Sequence, residues 1–137
     1  MQDTVNTAVE KFRFIVHVGM GKTGSSSIQQ VLDDNQSNLE QQSVRYIGAW
    51  LEDIDQKFKG FEGDEVFRSM PVSERVAAAD TFYGLLERWA SETGTRTFVL
   101  CNESWSSYPY HVAPFLERLA DLGVQLDVLC YVRRPEN

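Results

Sequence analysis

Gly19, Gly21 and Gly24 surround Lys22 and Thr23, and three consecutive hydroxyls, Ser25, Ser26 and Ser27, follow directly. Glycines let a backbone turn tightly and approach a ligand without a Cβ in the way. A helix opening on the serines would present unpaired N–H groups and the positive end of its dipole. Lysine adds a full charge on a flexible stem, and the hydroxyls add donors. Together these groups make a cradle for a phosphate or another tetrahedral anion. The same residues also suit a plain Ser/Thr-rich helix N-cap with an incidental lysine.

The element that would position this loop is the apolar run Phe12 to Val18, which reads as a first strand. Gly21-Lys22-Thr23 matches the second half of the nucleotide-triphosphate loop G-x-x-x-x-G-K-[ST]. Val16 stands where the leading glycine of that motif belongs, so the loop is too short for the usual triphosphate wrap. A second chemical feature lies at the other end of the chain. Residues 124 to 137 read as a buried strand that ends in Arg133 and Arg134, followed by Pro135. A guanidinium presents several donors in a plane and suits a terminal phosphate well.

The pattern Lys-[Ser/Thr]-Gly-[Ser/Thr]-[Ser/Thr] after a strand, with a later strand ending in Arg and then Pro, resembles the sulfotransferases that use 3′-phosphoadenosine 5′-phosphosulfate (PAPS). The run from His17 to Gln29 is most similar to bacterial and carbohydrate-modifying members. The resemblance implies that Gly21, Lys22, Thr23, Gly24, Ser25, Ser26 and Ser27 hold the 5′-phosphosulfate. It implies that Arg133 binds the 3′-phosphate, with Arg134 in that role if the register shifts by one. It also implies a three-layer, P-loop-like α/β fold with a mainly parallel sheet flanked by helices. In that family a Ser eight positions after the arginine and a following helix complete the 3′-phosphate site. Both would fall beyond Asn137, so residues 1–137 are expected to be the N-terminal part of a longer chain, truncated after the strand ending in Arg133 and inactive alone.

Sulfuryl transfer needs a base for the acceptor's proton and positive donors for the leaving phosphate. Lys22 is the donor, and Glu103 and His111, in the stretch Asn102 to His111, are the available bases. Each has a structural alternative: Glu103 could cap a helix or pair with an arginine, and His111 lies near a helix start. His17 reads as a satisfied packing or bracing residue. Trp105, Tyr108 and Tyr110 could wall an acceptor pocket or pack. The expected acceptor is a hydroxyl, or an amine, on a carbohydrate or small molecule. Competing readings are a P-loop nucleotide kinase and an inactive module that binds an anion or a partner.

Composition sets bounds. The chain has 137 residues, 42% apolar and 24% charged, which suits one compact domain over 1–137. Its net charge of −7 makes nucleic acid a poor partner. There is no apolar run of about 18 residues for a membrane span, nor a segment resembling a secretion signal, so a cytoplasmic location is expected. Cys101 and Cys130 lie in apolar strand contexts and read as buried thiols. With two histidines and no Cys/His cluster, no metal is expected.

Strand and helix alternate along the chain. Ser25 to about Leu39 reads as a helix with Ile28, Val31, Leu32 and Leu39 on one face, and Val44 to Gly48 as a short strand. Residues 52 to 70 read as an irregular excursion. Pro71 to about Thr93 reads as a long helix stopped by Gly94. Arg96 to Cys101 is a strand expected beside the first, Tyr110 to Leu122 a helix ending at Gly123, and Leu126 to Val132 the last strand. The exposed face of that last strand favours self-association.

Overall fold

The computed structural model describes residues 12–19, 31–32 and 34–131. Within them lie β1 (Arg13–Gly19), α1 (Gln36–Gln41), β2 (Val44–Tyr46), α2 (Gly60–Ser69), α3 (Val72–Thr93), β3 (Thr97–Cys101), α4 (Pro109–Asp121) and β4 (Gln125–Tyr131). Single 3₁₀ turns cover Gln56–Phe58 and Glu103–Ser107. The fold is α/β, with four parallel strands in the order β2-β3-β1-β4 and helices against the sheet. The helix expected from Ser25 begins outside the described residues.

Alternation along β1 decides what packs where. Phe14, Val16 and Val18 point to the side covered by α3 and α4. Phe14 meets Phe82 of α3 with ring centroids 5.1 Å apart, and Phe98 of β3 meets Trp89 at 5.8 Å. Phe115 of α4 closes the core against Phe67 and Phe82. Phe14, Phe67, Phe82, Phe98 and Phe115 are all fully buried, each contributing on the order of 2–3 kcal/mol of transfer free energy. Gly94, at φ 76°, ends α3 by donating its N–H to Ala90. That left-handed position favours glycine.

Several sequence expectations change. The excursion over residues 52 to 70 contains α2, which the glycines at 60 and 63 hid from a propensity reading. Gly63 is there for contact: a Cβ at that position would lie 2.1 Å from the carbonyl carbon of Phe58. Val31 is exposed rather than on a buried face. The side-chain amide of Asn35 bonds the Val31 carbonyl, and Asn35 breaks the helix there, so the 3.6-residue phase does not run through. β4 ends the sheet among the described strands rather than lying buried within it. Val128 and Leu129 are 54% and 52% exposed, and Cys130 is exposed while Cys101 is buried.

Candidate functional site

In a parallel α/β sheet, ligands bind outside the carboxyl ends of the strands, where the connections diverge. β1 lies between β3 and β4 here, with His17 in register with Cys101 and Leu129, and Gly19 with Tyr131. The three chain segments leaving β1, β3 and β4 therefore start from one edge of the sheet. Gly21, Lys22, Thr23, Gly24, Ser25, Ser26 and Ser27 lie outside the described residues, as do Arg133 and Arg134. The described part of the edge is the segment from Asn102 to His111, the end of β1, and the loop after β2.

Asn102 is the joint of this edge. Its backbone N–H donates to the His17 carbonyl at 3.0 Å, tying β3 to the end of β1. Its side-chain oxygen accepts from the Ser104 N–H at 3.0 Å, capping the turn that carries Glu103. Its amide nitrogen donates to the Ala49 carbonyl at 3.0 Å and to Asp64 Oδ1 at 3.2 Å. These partners fix the orientation of the amide.

Asp64, buried in α2, gathers donors from this turn. Oδ1 also accepts from Trp105 Nε1 at 2.9 Å, and Oδ2 accepts from the Ser104 hydroxyl at 2.7 Å and Arg68 Nε at 3.0 Å. A buried carboxylate is tolerated when its charge is paired and its lone pairs are filled, and both conditions hold. The guanidinium of Arg68 lies 3.7 Å over the Tyr108 ring. Asp64 and Asn102 were absent from the sequence-based candidates. The available signal was Asp64 between two aromatics of α2, a position that demands donors.

Glu103 is half-buried and forms no hydrogen bond or ion pair through its carboxylate among the described residues. Among the described residues it neither caps a helix nor pairs with an arginine: Asn102 caps the turn and Arg68 is held by Asp64. His111 is exposed in the first turn of α4, edge-on to Tyr108, and its carbonyl accepts from Arg75 Nη1. The expectation of a helix start holds for it. His17 is buried and its carbonyl braces the Asn102 turn, but its Nδ1 has no hydrogen-bond partner among the described residues. Trp105 is buried against Phe67 and Phe115, whereas Tyr108 and Tyr110 are exposed.

Beside this edge an apolar groove of about 490 Å³ runs between α4 and the β1–β4 pair, lined by Val16, Val18, Val112, Leu116 and Val128. It has shape but few polar groups to orient a ligand. No group of three or more His, Cys, Asp or Glu suited to a metal ion occurs among the described residues. No helix among them is long and apolar enough to cross a membrane. Comparisons with protein-family models, curated proteins and solved structures give no match.

Proposed function

We propose that this chain carries the donor-binding half of a PAPS-dependent sulfotransferase. The observation that carries the reading is the sheet order. The segments with Lys22, Glu103 and Arg133 follow β1, β3 and β4, and these three strands are parallel neighbours with β1 in the middle. Chemistry separated by more than a hundred residues of sequence thus starts from one edge. Among the described residues the half-buried carboxylate of Glu103 has no partner there.

In this reading the Gly24 to Ser27 backbone and hydroxyls take the 5′-phosphate, and Arg133 takes the 3′-phosphate. Arg134 substitutes if the strand register shifts by one. PAPS supplies the sulfuryl group and leaves as adenosine 3′,5′-bisphosphate. Lys22 stabilises negative charge developing on the bridging oxygen as the S–O bond to phosphate breaks. Glu103 takes the proton from the acceptor as its oxygen bonds to sulfur. His111, exposed and engaged with Tyr108, is the second base.

Calorimetric titration tests the reading. Adenosine 3′,5′-bisphosphate is expected to bind the full-length protein without magnesium and more tightly than AMP or ATP. Lys22→Ala should weaken that binding tenfold or more. If ATP with magnesium binds best, the phosphotransferase reading replaces this one.

A further inference from the structure

The bond from Asn102 to the Ala49 carbonyl has a neighbour on each side. Trp50 directly follows the acceptor residue, and Glu103 directly follows the donor residue. Trp50 in turn meets Phe61 of α2, ring centroids 5.0 Å apart and planes at 70°. Phe61 is 74% exposed. A ring so exposed contributes little to the core, and the two rings meet edge to face in a corner where Phe61 is largely open to solvent and Trp50 is half-buried. The corner is held from below. Asn102 anchors the Trp50 loop, and Asp64, one turn beyond Phe61, anchors α2 to the same joint.

Charge decides what such a corner prefers. Aromatic faces attract cations electrostatically. Glu65 follows Phe61 at the helical i,i+4 spacing and so shares its face. Asp53, Glu62 and Glu65 are exposed and form no ion pair among the described residues, whereas Glu52 lies 4.0 Å from Lys59. The chain as a whole carries −7. An anionic sulfated glycan is therefore disfavoured at this corner, and a cation is favoured.

We propose that Trp50 and Phe61, with Glu65, form an acceptor subsite for a protonated amine on a compact hydroxyl-bearing ring, the chemistry of an amino sugar. The aromatic corner carries the recognition, and the carboxylate strengthens the preference for positive charge. As an acceptor subsite it rests on the sulfuryl-transfer reading. The ammonium is anchored at the corner, leaving Glu103 free for the proton of a ring hydroxyl.

The test is direct binding to the 137-residue chain, read by tryptophan fluorescence and by NMR shifts of the aromatic side chains. The probes are glucosamine, glucose and N-acetylglucosamine at about pH 6.5, where an amine of this type is protonated. Glucosamine is expected to bind saturably and at least fivefold more tightly than either neutral sugar, with the preference falling as salt is added. Phe61→Ala removes an exposed ring and should abolish saturable binding while leaving the circular dichroism spectrum unchanged. Glu65→Gln should reduce the preference for glucosamine twofold or more. Equal binding of the three sugars, or glucosamine binding that survives Phe61→Ala, overturns the proposal. A parallel titration of the full-length protein with adenosine 3′,5′-bisphosphate separates the two readings. If the bisphosphate fails while glucosamine binds as described, the sulfuryl-transfer reading falls and the amine site stands.

Discussion

Trp105 donates its indole N–H to Oδ1 of Asp64 at 2.9 Å, and both residues are buried. The bond joins α2 to the turn after β3, so the helix and the turn share one anchor. Replacing Asp64 with Ala would strand the indole and the Arg68 guanidinium and remove one bond each from the Asn102 amide and the Ser104 hydroxyl. We expect a loss of about 3–5 kcal/mol, the range for removing one partner of a buried charge pair. Asp64→Asn keeps one acceptor oxygen and should lose about half as much. Urea denaturation of the three proteins measures this, and an unchanged midpoint for Asp64→Ala would show that the anchor carries no stability.

Gly63 gives a prediction of opposite origin, from crowding rather than from lost bonds. An added methyl meets the Phe58 backbone, which cannot rotate away as a side chain can. Gly63→Ala should therefore destabilise by about 3 kcal/mol, the upper part of the usual overpacking range. Helix propensity alone predicts the reverse sign, a gain of about 1 kcal/mol. The direction of the shift in the denaturation midpoint decides between contact and propensity.

Arg133 should control selectivity rather than bulk affinity. In the proposed function its guanidinium meets only the 3′-phosphate, so Arg133→Ala is expected to lower the affinity for adenosine 3′,5′-bisphosphate by about 10–100-fold, as for a lost charge-assisted bond. Binding of AMP, which lacks that phosphate, should change less than threefold. Equal losses for both nucleotides would move Arg133 out of the 3′-phosphate site, and the same pair of titrations on Arg134→Ala tests the alternative register.

β4 ends the described sheet with Val128 and Leu129 exposed on opposite faces. An unpaired apolar edge is a template for another strand. Sedimentation velocity should show association that grows with protein concentration and weakens in Leu129→Lys. A monomer at every concentration would mean that the net negative charge outweighs the edge.

The parallel strands were legible because each is a short apolar run bounded by polar or glycine residues. The boundaries of β1, β3 and β4 fall within a residue or two of those expected at every described end. β3 was expected beside β1 and pairs with it. Burial was less legible, because apolar composition does not say which strand lies at the end of the sheet. Cys130 and Cys101 occupy similar sequence contexts, and only the strand order separates an exposed thiol from a buried one. The stripe of α3 shows the same limit. Helical spacing puts Val76, Ala79, Tyr83, Leu86 and Trp89 or Ala90 on one face; Ala79, Leu86 and Trp89 are buried there, Val76, Tyr83 and Ala90 are half-buried, and the buried face also takes in Arg75, Ala78 and Phe82. The Asp64 cluster was least legible, since its partners come from three segments and no local spacing encodes them.

β1 pairs with no strand near it in the chain. Its two neighbours, β3 and β4, both arrive from the C-terminal half, whereas β2 pairs with β3 over a shorter separation. Closing long loops early carries an entropic penalty, so non-local parallel pairings form late in folding. The segment over β2, α3 and β3 can assemble before β1 slots into the middle of the sheet. The edge that carries the candidate chemistry is thus completed only once β4 is in place. A protein halted before β4 would have a partial core and one side of β1 unpaired, so assembly of the sheet itself would set when that edge is complete.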